Sequence, residues 1–320
     1  MEAAAKPKGN SRLKRFVGDN KILFIFIALF IVMSAVRPDA FFTYTNLTNL
    51  LKQIAVNAIL AVGMTVVMTT GSFDLSVGSV VGVAGVVVAL SARAGVPGIA
   101  ALLIGVLVGA AFGCVNGLAI AAFKIPSFIV TLAMMQAARG LSYMFCGGFP
   151  VTGFPKSYLF IGQGYFLGIP VPVYIMAAVA VLVAVLMRQT KFGRYVYFIG
   201  GNEEAAALSG INGFKTRVLS HTLCGLLAGV AGIVLTFRVG SAMPAAGEGF
   251  EMDAIAAAVI GGCSLSGGVS RISGTVLGAL ILGLISNGMN LLGVTTYPQM
   301  VIKGAIIFVA VLLDTRANKK

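Results

Sequence analysis

Few residues in this chain are of a type that does chemistry, and they sit singly in apolar surroundings. Asp74 lies between Ser72 and Ser76 in a stretch that is otherwise hydrophobic or glycine-rich. A carboxylate at bilayer depth costs about 2.5 to 3.5 kcal/mol unless it is paired or wet, so a partner or a function must offset it. Three offsets fit the residue types: a helix cap accepting the N–H of Val77 or Gly78, contact with a polar solute, or a proton relay. Arg139 is a counterion for Asp74 or Asp253, or a long side chain that snorkels to the interface. Gln136, three residues earlier, shares its helix face. Asn57, Asn116, Asn287 and Asn290 fall in or beside apolar runs. Hydrogen bonding between helices is their default role, and lining a route for an uncharged polar solute is the second. Glu248, Glu251 and Asp253 are expected on the outer side of the membrane, where they cap the small-residue run that follows, form part of a surface that receives a partner, or both. His221 has no second His or Cys beside it, so no metal site is expected. Cys114, Cys146, Cys224 and Cys263 are scattered singly, without CxxC spacing, and read as packing residues. No cofactor is expected, and the absence of a G-x-x-x-x-G-K-[ST] run leaves the chain no phosphate loop with which to bind ATP.

The elements that carry these residues follow from composition. The chain has 320 residues, 58% hydrophobic and 10% charged, with 41 glycines and no tryptophan; its mean hydropathy is +0.98. Soluble domains carry about 25% charged residues, so a water-soluble enzyme is excluded. Small residues allow membrane helices to approach closely, and the expected fold is an all-α polytopic membrane bundle. Apolar runs at 21–36, 54–70, 77–92, 98–122, 127–145, 170–187, 218–237, 252–263, 272–288 and 299–313 make about ten spans. The one starting after Asp74 and the one ending near Cys263 are short and interrupted by Gly and Ser, as broken or re-entrant helices are. The first run lacks a small-x-small cleavage site and reads as an uncleaved helix.

The net charge of +13 does not mark a nucleic-acid protein, because the basic residues fall between spans rather than on one solvated face. With both termini on one side, sixteen Lys and Arg lie there and five on the other. The positive-inside rule then makes both termini cytoplasmic. The expected organisation is a basic cytoplasmic segment 1–20, one membrane domain 21–314 with a polar cytoplasmic insertion 188–217, and a tail 315–320. The loop 146–169 faces outward. The frames Gly71-x3-Leu75-Ser76-x-Gly78 and Gly261-x3-Leu265-Ser266-x-Gly268 hint at an internal repeat.

Within the insertion, Gly200 and Gly201 precede Asn202, which caps a helix. Glu203 and Glu204 fill its first turn, where the dipole favours acids; Ala205 and Ala206 propagate it and Gly210 ends it. Two turns are unstable alone in water, so something holds them. The choices are the bundle's own basic residues, Arg194 and Lys215 among them, or a partner's groove.

The stretch EAAALSG at 204–210 resembles the EAA-x3-G coupling element of bacterial ATP-binding-cassette importers. GSFDLSVGS at 71–79, IPSFIVTLAMMQAARGL at 125–141, FGRYVYFIGGNEEAAALSGIN at 192–212, EMDAIAAAVIGGCSLSGG at 251–268 and NGMNLLGV at 287–294 resemble, in order, the signatures of the sugar-importer permeases of the ribose, xylose, arabinose and galactose systems. The ribose branch is nearest, and the likeness runs from about residue 20 to residue 314. GSFDLS departs from the family's usual Gly-Ile-Asp, and Val-Ser-Arg-Ile at 269–272 departs from a more glycine-rich pattern.

The resemblance implies a transport subunit rather than an enzyme, in the bacterial cytoplasmic (inner) membrane. A second copy completes the path as a homodimer, a separate cytoplasmic ATPase docks on the 203–210 helix, and an extracytoplasmic sugar-binding protein delivers a monosaccharide. An ion-coupled transporter or channel, and a permease for branched-chain amino acids, are the competing expectations.

Overall fold

The computed structural model describes residues 21–318, with side chains from 22 to 312. The basic segment 1–20 and the side chains of the tail lie outside the described residues. The chain is helical almost throughout: α1 (Lys21–Val36), α2 (Pro38–Phe41), α3 (Tyr44–Thr69), α4 (Val77–Arg93), α5 (Gly98–Phe123) and α6 (Ser127–Cys146) come first. A 3-10 turn (Lys156–Tyr158), α7 (Leu159–Gln163) and an antiparallel hairpin of β1 (Tyr165–Phe166) and β2 (Ile169–Pro170) follow. Then come α8 (Val171–Gln189), α9 (Lys191–Gly201), α10 (Glu203–Leu208), α11 (Gly213–Val239), α12 (Phe250–Ile260), α13 (Ile272–Leu291) and α14 (Thr296–Asn318).

Six of these, α3, α5, α6, α8, α11 and α13, are long and apolar enough to cross a membrane, and Ile22–Val36, Val77–Arg93 and Thr296–Leu312 are shorter apolar helices. Most expected runs return as helices within a few residues. α3 begins ten residues before the expected 54, because Thr43 Oγ1 accepts the Asn46 N–H and carries the helix through a polar first turn. The segment 146–169 is not a plain loop: Tyr158 seats its hydroxyl on the Val96 carbonyl, and the hairpin closes the segment.

Centre and periphery separate by burial. In their most apolar windows α3 is 78% buried and α11 and α13 are 67%, against 22% for α5 and 17% for α6 and α8. The outward faces of the last three carry Leu103, Leu107, Ile129, Leu132, Val181 and Leu182, an apolar coat that suits hydrocarbon rather than water.

Gly105, Gly109, Gly113 and Gly117 form a four-residue repeat along α5 that meets α11. A Cβ on Gly109 would strike the Gly225 carbonyl, and one on Gly113 the His221 carbonyl. No hydrophobic effect joins helices in lipid, so backbone proximity supplies the dispersion contact that holds this pair. Gly113→Ala should therefore destabilise the bundle by about 1–3 kcal/mol, seen as a lower unfolding midpoint in detergent. Gly304→Ala, with no described atom within 4 Å of its would-be Cβ, should not lower that midpoint.

Candidate functional site

The link between α3 and α4 (residues 70–76) and the link between α12 and α13 (261–271) are the two helix breaks, and they touch. The Gly268 N–H donates to the Thr69 carbonyl at 2.9 Å, and a Cβ on Gly267 would lie 2.9 Å from the Gly71 nitrogen. The two stretches with the Gly-x3-Leu-Ser-x-Gly frame thus occupy like places, each joining consecutive helices, and meet face to face. Hydroxyls add to the junction: Thr69 Oγ1 donates to Ser270 Oγ at 2.7 Å, and Thr65 and Thr275 share a 2.7 Å hydrogen bond. Deep in a bundle these bonds occupy backbone and hydroxyl groups that water cannot reach.

α9 rests on this junction. A Cβ on Gly200 would overlap the Thr69 carbonyl and lie 2.5 Å from the Gly268 nitrogen, so only glycine lets the chain approach here. Tyr197, one turn earlier, places its hydroxyl 3.2 Å from Ser270 Oγ and donates to the Ser270 carbonyl at 3.3 Å. Gly201 ends α9, and Asn202 turns the chain into α10.

α10 has the expected form. Asn202 Oδ1 accepts the Ala205 N–H at 2.9 Å, Glu203 and Glu204 occupy the first turn, and Gly210 adopts φ +76° after the end. One of the bundle's own basic residues holds it, as one of the two expectations had it: Arg217, through a 2.6 Å pair with Glu203. That pair is partly exposed and contributes little alone, about 0–1 kcal/mol. Ala206 is buried, whereas Glu204, Ala205 and Leu208 face outward, with Leu208 91% exposed. A groove of about 630 Å³ separates α10 from α9, lined by Arg194, Phe198 and Ala205 among others. Behind α10 lies a cavity of about 680 Å³, bounded by Ser72, Lys124, Ser127, Glu203 and Arg217.

Asp74 is 1% exposed and lies in the first break. Its carboxylate accepts the N–H and hydroxyl of Ser76 at 3.0 and 2.6 Å, so the capping donors are on Ser76 and not on Val77 or Gly78. Asn116, fully buried on α5, donates to Ser76 Oγ at 2.9 Å and reaches both Asp74 oxygens at 3.4 Å. His221 is buried on α11 with Nδ1 against the Arg217 carbonyl, and among the described residues no group of three metal-ligating side chains forms.

Arg139 does not pair with Asp74 or Asp253. Its Nη1 donates to the carbonyls of Pro244 and Ala246 at 2.6 and 2.9 Å, holding a loop that folds back between α4 and α6. The acids that follow differ in exposure. Glu251 lies against Gly78, Asp253 pairs with Lys303 at 2.8 Å, and Glu248 remains exposed. Gly249 is the N-cap residue of α12, so the acids favour the dipole without capping by side chain.

The other asparagines mostly tie helices. Asn287 and Asn46 exchange two amide hydrogen bonds between α13 and α3, and Asn290 accepts from Gln299 of α14. Asn57 Oδ1 is buried without a partner. Gln136 is exposed on α6, beside Gly140 on the same face.

Residues 46–311 match the family described as the permease component of the branched-chain amino acid transport system. The ribose import permease protein RbsC of Escherichia coli (strain K12) is 45% identical over 311 residues, covering 96% of each chain. That of Bacillus subtilis (strain 168) is 47% identical over 298 residues, 92% of each. The L-arabinose transport system permease protein AraH of E. coli K12 is 37% identical over 317 residues, 98% of this chain and 95% of that one. No solved structure matches.

The α10 cap offers a local test. Asn202→Ala removes the acceptor of the Ala205 N–H, a loss of about 1 kcal/mol. Amide exchange at Ala205 should rise about fivefold, with no change in the α5–α11 core.

Proposed function

We propose a function from one plain premise: this chain belongs to the family of transport-system permease components. It is the membrane-spanning subunit of a binding-protein-dependent ATP-binding-cassette importer, and it moves a monosaccharide, ribose, into the cytoplasm. The observation that carries the reading is the mounting of α10. A six-residue capped helix with an exposed apolar tip at Leu208 is a docking element, and α9, which leads directly into it, rests on the two helix breaks. Identity of 45–47% to ribose import permeases over nearly the whole chain supports the sugar.

In this reading the six long spans, the three shorter apolar helices and re-entrant α12 make ten membrane segments. The face bearing 188–217 is cytoplasmic, where the basic residues gather, and both termini share it. A second copy seats against α6. Gln136 is an amide at mid-helix on an otherwise apolar exposed face, and an unpaired amide facing lipid is costly. A neighbouring subunit or a wet path relieves that cost, and Gly140 beside it permits close approach. Asp74, Ser76 and Asn116 are then structural, fixing the break beneath the path. Glu248 remains available to the extracytoplasmic binding protein.

The mechanism follows from the contacts. A cytoplasmic ATPase grips α10; closure of its dimer displaces α10 together with α9; Gly200 and Tyr197 carry the displacement to residues 69–71 and 267–270. The breaks let α4 and α13 move relative to α3 and α12 without unravelling either long helix, which gives alternating access. In proteoliposomes with the ATPase and binding protein, Glu204→Lys should reduce ATP-driven ribose uptake at least tenfold and weaken ATPase co-purification, with insertion intact. Normal uptake with normal association overturns the coupling assignment.

A further inference from the structure

At the opposite end of the bundle from α10, a recess of about 550 Å³ is lined by Asn49, Lys52, Gln53, Gln163, Tyr165 and Arg238. Every lining side chain is polar, two are cationic and none is acidic. Lys52 is only 9% exposed, in the ninth residue of α3. Among the described residues its ammonium is held by neutral groups alone: the Tyr165 hydroxyl at 3.0 Å, the Gln163 carbonyl at 3.4 Å and the Tyr165 ring face at 4.4 Å. The Arg238 guanidinium makes no hydrogen bond or ion pair among the described residues; only its backbone carbonyl is engaged, by Gln163 Nε2 at 3.1 Å. Two cations in one recess repel each other, and a buried charge without a counter-charge is unfavourable. The missing element is an anion.

The depth identifies its class. Tyr44 and Tyr165 stack at 6.2 Å, Tyr44 donates to the Gly168 carbonyl, and Tyr174 donates to the Phe166 carbonyl, so three tyrosines ring the rim. Tyrosines gather at headgroup level, the level of lipid phosphates. Lys52 donating to the Tyr165 oxygen also holds that phenol below the usual tyrosine range, and of the ammonium's three N–H donors two go to Tyr165 and Gln163.

We propose that this recess binds a phosphate group, from an anionic phospholipid headgroup or as the free ion, with Lys52 and Arg238 as its charged donors and Asn49, Gln53 and Gln163 as neutral ones. Arg offers a two-pronged contact to phosphate oxygens and Lys a point charge. An occupied recess clamps α3 to α11 and to the segment Gln163–Tyr165 at the outer end.

The test uses the purified full-length chain, stripped of lipid in detergent, with thermal unfolding and native mass spectrometry as readouts. Phosphatidylglycerol should raise the unfolding midpoint and remain bound as discrete adducts, and phosphatidylcholine should do so at least tenfold more weakly. An equal rise with inorganic phosphate alone assigns the same site to the free ion. Lys52→Gln with Arg238→Gln should weaken either response at least tenfold, and Arg93→Gln, outside the recess, should not. If the double variant does not fold, Arg238→Gln alone, which breaks no hydrogen bond or ion pair among the described residues, should still weaken binding severalfold. No anion-dependent shift in the parent, or a shift unchanged in Arg238→Gln, overturns the proposal. So does a variant whose only change is its response to the binding protein, which would make the recess a protein contact.

Discussion

A backbone N–H or C=O removed from water must find a partner inside the protein, and in a chain this apolar that requirement governs every departure from helix. The departures here meet it in different ways. At the first break Asp74 accepts from Ser76, and Asn116 joins them; the Thr69 carbonyl is answered by Gly268 of the second break. The loop that folds back before α12 presents the carbonyls of Pro244 and Ala246 to Arg139. Removing any of these donors or acceptors would strand a partner at a cost of about 1–3 kcal/mol. Polar residues in the bundle interior are therefore found mainly where helices stop.

In the proposed function, the same constraint explains how a small helix outside the spans acts on the bundle. Intact helices transmit force poorly to one another when they meet only through side chains that can slide. Breaks are different, because their backbones are hydrogen-bonded across elements. α9 reaches them through Gly200, where backbone meets backbone, and through the Tyr197 hydroxyl on Ser270. The proposed coupling therefore needs only few, short contacts between α9 and the breaks that precede α4 and α13.

Much of this was legible in the sequence. Apolar runs placed most helices within a few residues; Asn202, Glu203, Glu204 and Gly210 described α10 before its geometry was known; and the Gly-Ser interruptions marked both breaks. What escaped was tertiary. Arg139 reads as a counterion because a charge suggests a charge, yet its donors go to carbonyls of a loop more than a hundred residues away. That a basic residue of the bundle holds α10 was legible, but which one was not: Arg217 does so because helix phase, not proximity in sequence, decides which cation faces Glu203. The four-residue glycine repeat on α5 was present in the composition as abundance, but its meaning needed the facing Gly225 and Gly229 of α11. Lys52 and Arg238 are far apart in the chain and gave no local signal of a shared recess.

The central claim, that the coupling helix acts through the paired breaks, is tested most directly by hydrogen exchange of the assembled transporter with and without a non-hydrolysable ATP analogue. The account predicts that residues 196–210, 69–72 and 264–270 change protection together, with the Gly268 amide among them. A change at 196–210 while the amides of both breaks stay as they were would contradict it.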